Sequence, residues 1–182
     1  MIFYVHGWSD YFFQTDLAYF WHEQGAAFYA IGLHNYGCSL RPRLVFGFVT
    51  NLQEYNELWR PRQGFPVPFA FLYAVMQGQA AVEEGLHLDL PVLVLLSDKS
   101  YLQPISSSDA SSVDVARNVD LVTHRSLFLG NYVTIARIPN ALHDVFLSAP
   151  EPRAHAYAYD TLSRWTTNFM ISRRRLSHQS PI

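Results

Sequence analysis

The apolar positions fall into short unbroken runs, separated by segments in which they recur every three or four residues. Ile2-Phe3-Tyr4-Val5, stopped by His6-Gly7, reads as a strand buried on both faces. Residues 26–33 form a second such run, and 91–97 is the clearest of all. Residues 132–138 alternate in the manner of a strand. Leu17, Tyr19, Phe20 and Trp21 mark a helix that Asp10 or Thr15 caps and Gly25 stops. Leu52, Tyr55 and Leu58 mark a short helix over 49–59. Phe71, Leu72, Val75 and Met76 mark another over 69–84, ended by Gly85. Residues 113–129 read as mostly helical. Glu151 or Pro152 opens a last helix that runs to about Ile171, with Tyr157, Leu162, Trp165 and Phe169 facing inward.

Strands alternating with helices predict the α/β class, a mainly parallel sheet flanked by helices, with a right-handed crossover joining the first two strands. Ligands of such sheets bind at the carboxyl ends of the strands. That places His6, Gly7, Trp8 and the turn-rich loop 34–42 at a candidate site. The Pro- and Gly-dense stretch 60–68 breaks all regular structure and marks a junction. Residues 1–172 are expected to form a single domain, and 173–182, with Arg173, Arg174 and Arg175 among serines, a frayed tail. The chain starts inside a strand, which points to a fold or a gene model cut short at this end.

Composition narrows the classes. With 182 residues, 49% of them hydrophobic and 15% charged, the chain fits a globular domain and not a disordered one. A net charge of -2 gives no electrostatic case for nucleic acid. No run reaches the roughly 18 apolar residues of a membrane span, and no basic region precedes the first apolar stretch as in a signal peptide. The single cysteine, Cys38, excludes an internal disulfide framework and favours a reducing compartment such as the cytoplasm. Nothing beside it in sequence lowers its pKa as a nucleophile would require. The eight histidines are scattered, and His22-Glu23 lacks the second histidine of a zinc-binding helix. Neither a metal nor a cofactor is expected.

Four motifs in chain order carry a resemblance: His6-Gly7 after the first strand, Asn35-Tyr36-Gly37-Cys38-Ser39-Leu40-Arg41-Pro42 after the second, 91–97 as a late strand, and Ala141-Leu142-His143-Asp144 after the last. Together they resemble an α/β-hydrolase, of the branch that contains serine aminopeptidases and monoacylglycerol lipases. The resemblance implies acyl transfer through a serine on a small hydrophobic ester or amide. It makes His143 the general base and Asp114 the acid, with Asp98 and Asp109 as alternatives for the acid. It assigns Trp8, with Gly7, to the oxyanion hole and a packing role to His6. Asp144 is expected to cap or to meet solvent. The plain alternatives are a loop histidine bonded to a backbone carbonyl for His143, and an N-cap or solvated helix residue for Asp114.

The nucleophile of that family, Gly-x-Ser-x-Gly, does not occur in the sequence. Gly7-Trp8-Ser9-Asp10-Tyr11 and Gly37-Cys38-Ser39-Leu40-Arg41 both fail at the final glycine. In family order the elbow belongs between the helices at 49–59 and 69–84, where only 60–68 lies. A strand-helix-strand unit takes about 30 residues, so one such unit and a cap are absent from this reading. Each backbone group left without its ladder partner costs about 1–3 kcal/mol. The sheet is expected to close across the gap or to leave edges that invite self-association. Activity is expected to be impaired, the alternative being a non-catalytic binding protein on the same scaffold.

Overall fold

The computed structural model describes residues 1–5, 12–31, 69–103, 110, 112–148 and 152–177. The expectations at His6, Gly7, Trp8, Asp10, the 34–42 loop with Cys38, the 49–59 helix, the 60–68 junction and Asp109 lie outside the described residues. Among the described residues the architecture is α/β, and every pairing of named strands is parallel. The chain divides into two compact units, Met1–Val75 and Met76–Ile182.

In the first unit, β1 (Ile2–Val5) pairs with β2 (Phe28–Ile31), Ile2 opposite Phe28 and Phe3 opposite Tyr29. Helix α1 (Thr15–Glu23) connects them. Successive side chains of a strand point to opposite faces, so Tyr4 meets Phe12 and Phe28 while Phe3 stacks on Tyr29 across the pair. The expected burial of β1 on both faces does not hold: Phe3 and Val5 are exposed, and Ile2 and Tyr4 are half-buried. An apolar run dictates an extended conformation, but the elements stacked on each face decide burial. The cap of α1 also differs. Gln14 precedes the first turn without a side-chain cap bond, and Thr15 is already helical. Gly25 stops the helix as expected. Its φ of 72° is the left-handed conformation that closes a helix, with Gly25 N–H on His22 O and Ala26 N–H on Trp21 O.

Helix α2 (Phe69–Glu84) contains the division between the units, and none of its residues is buried. Gly85, at a φ of 97°, ends it.

The second unit holds β3 (Val92–Ser97), α3 (Val119–Ser126), β4 (Val133–Ile138) and α4 (Pro152–Ser177). Strands β3 and β4 run parallel with Val92 opposite Val133 and Ser97 opposite Ile138, so both carboxyl ends lie at one edge. Ile138, Ala141, Val145 and Ala158 form the core, packed against Leu95, Ala136 and Phe146. Helix α3 begins later than the expected start near residue 113. The Asn118 side chain accepts from Asp120 N–H and Leu121 N–H and thereby caps it at Val119. The inward stripe of α4 holds at Leu162 and differs at its start. Ala158 and Leu162 are buried, whereas Tyr157 is exposed, because a methyl group lets the helix approach Ile138 and Ala141. The helix continues to Ser177, past the expected end near Ile171, and the rest of the expected tail, 178–182, lies outside the described residues. Arginine is a good helix former, and the next proline is Pro181.

Gly130 forms a parallel bridge with Leu88, and a Cβ built on it would collide with the Leu88 carbonyl oxygen. Gly130→Ala is expected to destabilise the protein by about 1–3 kcal/mol, read as a lower denaturant midpoint at unchanged m-value. An unchanged midpoint would contradict the close approach.

Candidate active site

The second unit assembles an acid and a base at the carboxyl-terminal edge of two neighbouring parallel strands. The chain leaving β3 keeps its extended course just long enough to pair with the segment that carries Asp114. Asp114 N–H donates to Lys99 O at 3.0 Å, and Tyr101 N–H donates to Asp114 O at 2.9 Å. Ser100 Oγ accepts from Val119 N–H at 2.8 Å, which ties the same segment to the start of α3. Asp114 then turns the chain with its own side chain: Oδ1 accepts from Ala116 N–H at 2.7 Å and Arg117 N–H at 2.9 Å. An aspartate that satisfies the next backbone donors postpones the helix. That is why 113–118 is a turn.

His143 arrives from β4. The strand ends at the fully buried Ile138, Asn140 takes a left-handed φ of 60°, and Ala141 and Leu142 plunge into the core. Across these two segments, 29 residues apart, His143 Nδ1 lies 3.0 Å from Asp114 Oδ2. The carboxylate is almost wholly buried, at 5% side-chain exposure, while the imidazole is 34% exposed. One oxygen of Asp114 therefore serves the backbone and the other serves the imidazole.

Burial pushes the Asp114 carboxyl up, but the hydrogen bond and charge of His143 and the N–H groups of Ala116 and Arg117 outweigh it. The acid is held below its ordinary value and is ionised at neutral pH. An ionised carboxylate only accepts, so Nδ1 carries the proton in this contact and Nε2 is the ring nitrogen turned away from Asp114. Among the described residues, nothing occupies Nε2.

Asp98, an alternative for the acid, does other work. Its Oδ1 accepts from Asn140 N–H at 3.3 Å, pinning the turn after β4. Asp144 acts as the expected cap, its Oδ1 accepting from Phe146 N–H at 3.0 Å at the start of a 3₁₀ turn, Val145–Leu147. Gly7, Trp8 and Asp109 are outside the described residues. The residue that inspection of the sequence overlooks is Ser148, buried completely behind His143. Its only signal is its place four residues after Asp144, the reach of a serine hydroxyl to a backbone carbonyl. No group of three His, Cys, Asp or Glu that could hold a metal ion occurs among the described residues. No helix among them is long and apolar enough to cross a membrane.

The second unit is thus a parallel α/β arrangement with an aspartate–histidine couple at its strand ends. Compared with models of known protein families, with curated proteins and with solved structures, the chain matches none.

A pH titration of stability tests the couple. A carboxyl whose folded pKa is lowered adds stability that is complete above its unfolded value, about 3.9, and drains away as the pH falls through the lower folded value. Asp114→Asn keeps an oxygen for Ala116 and Arg117 but removes the charge. The variant is expected to show a flatter acid limb of unfolding stability; an acid limb identical to that of the wild type would contradict the pairing.

Proposed function

We propose that this chain carries the acid and base of a hydrolase-type proton relay on a shortened α/β-hydrolase scaffold. The observation that supports the reading is the 3.0 Å contact between His143 Nδ1 and Asp114 Oδ2. In this reading Asp114 holds the imidazole in the tautomer that leaves Nε2 basic and stabilises the imidazolium formed when Nε2 takes a proton. A positioned base of this kind contributes about 10²- to 10⁴-fold to a rate. The substrate class, a small hydrophobic ester or amide, and the oxyanion role of Trp8 and Gly7 follow from the resemblance to serine aminopeptidases and monoacylglycerol lipases.

The sequence contains no Gly-x-Ser-x-Gly. The couple therefore lacks the serine it would activate, and acyl-enzyme chemistry is lost or strongly impaired. What is left for the base is a water molecule or a hydroxyl of the substrate. The missing motif equally favours a second reading, a non-catalytic binding or self-associating protein that keeps the scaffold. Phe3, Val5, Tyr29 and Ile31, exposed on the β1–β2 pair, fit such a role.

A fluorophosphonate probe is expected to leave the protein unlabelled, and stoichiometric modification of a serine would overturn the loss of the nucleophile. Turnover of a short-chain p-nitrophenyl ester is expected to be slow, free of a burst, and to fall by about 10²-fold or more in His143→Ala. Equal rates for the two proteins would favour the binding reading.

A further inference from the structure

The loop that presents His143 is closed by one buried hydroxyl. Ser148 Oγ accepts from Leu142 N–H at 3.0 Å and donates to the Asp144 carbonyl oxygen at 3.0 Å. Leu142 and Asp144 are the two neighbours of His143 in the chain, so a single side chain ties the Ala141–Leu142 peptide to the Asp144–Val145 peptide across the base. The Asp144 carbonyl also accepts from Leu147 N–H at 3.2 Å, and the Asp144 carboxylate caps Phe146 N–H, so the staple sits on a closed 3₁₀ turn. Ser148 has no exposed surface, and Leu142 and Ala141 are buried beside it. Removing the hydroxyl leaves the buried Leu142 N–H without its partner, while the Asp144 carbonyl keeps Leu147 N–H alone.

We infer that Ser148 is the positioning residue of His143: it fixes the backbone on both sides of the base and so sets the imidazole at hydrogen-bonding distance from Asp114. The inference rests on the proposed acid–base role of the pair, but its geometry needs no substrate. Asp114 is immobilised separately by Ala116 N–H and Arg117 N–H, together with its bridge to Ser100. Of the two partners, His143 alone depends on the staple. The hydroxyl touches neither ring nitrogen, and its role is exercised through the main chain.

The experiment follows the His143 Nδ1 proton by NMR in the intact protein, with Asp114→Asn as the reference for a ring without its carboxylate. In Ser148→Ala this proton is expected to exchange with solvent about tenfold faster, the factor that one net hydrogen bond represents. Its resonance is expected to move toward that of Asp114→Asn, while the amide protons of Ala116 and Arg117 keep their protection. Ser148→Cys keeps a side-chain donor and acceptor at the site, larger and weaker than the hydroxyl, and is expected to move the signal the same way; it carries the test if the alanine variant does not fold. A Nδ1 proton unchanged in a folded variant overturns the role of Ser148 and leaves the Asp114–His143 couple standing. A wild-type Nδ1 proton indistinguishable from that of Asp114→Asn overturns the couple itself.

Discussion

A carboxylate placed almost entirely out of water has to be paired, and the second unit is organised by how that requirement is met. Asp114 divides its two oxygens between the local backbone and a histidine 29 residues further on. Either half alone would leave the buried charge short of partners, at a cost of several kcal/mol. The segment after β3 and the segment after β4 are therefore joined by more than apolar packing. The parallel register, which brings Ser97 opposite Ile138, sets the two segments side by side, and the Asp114–His143 hydrogen bond specifies how they meet.

The division of labour among the acidic residues follows from the same geometry. Asp98 holds the turn at Asn140, Asp114 holds the imidazole, Asp144 caps the 3₁₀ turn, and Asp120 pairs with Arg137 on the exposed face of α3. Among the described residues only Asp114 combines deep burial with a titratable partner, and that combination separates a candidate functional carboxylate from a structural one. An exposed pair such as Arg137–Asp120 is worth less than about 1 kcal/mol and explains little of the fold.

Much of this arrangement was legible in the pattern of residues. The unbroken apolar run at 91–97 announces β3, and the alternation at 132–138 announces β4. The motif Ala141-Leu142-His143-Asp144, following the last strand, places His143 at a strand end. The start of α3 was not legible from periodicity, because Asp114 and Asn118 spend their side chains on backbone N–H groups and hold 113–118 out of the helix. The inward face of α4 is legible at Leu162 but not at its start. A large aromatic, Tyr157, attracts attention where the small Ala158 is what the core admits. The partial exposure of β1 was hidden for a different reason: an apolar strand looks the same whether one or both of its faces are covered. Ser148 left almost no trace, since nothing in the residue type separates a buried serine from a surface one.

Whether the two segments interact as a pair is settled by a double-mutant cycle on unfolding free energy, using Asp114→Asn, His143→Gln and the double variant at neutral pH. A charge-assisted bond between them predicts a coupling of about 1–3 kcal/mol. Additivity to within about 0.5 kcal/mol would show that the carboxylate and the imidazole do not act on each other, and the acid–base reading would fall with it.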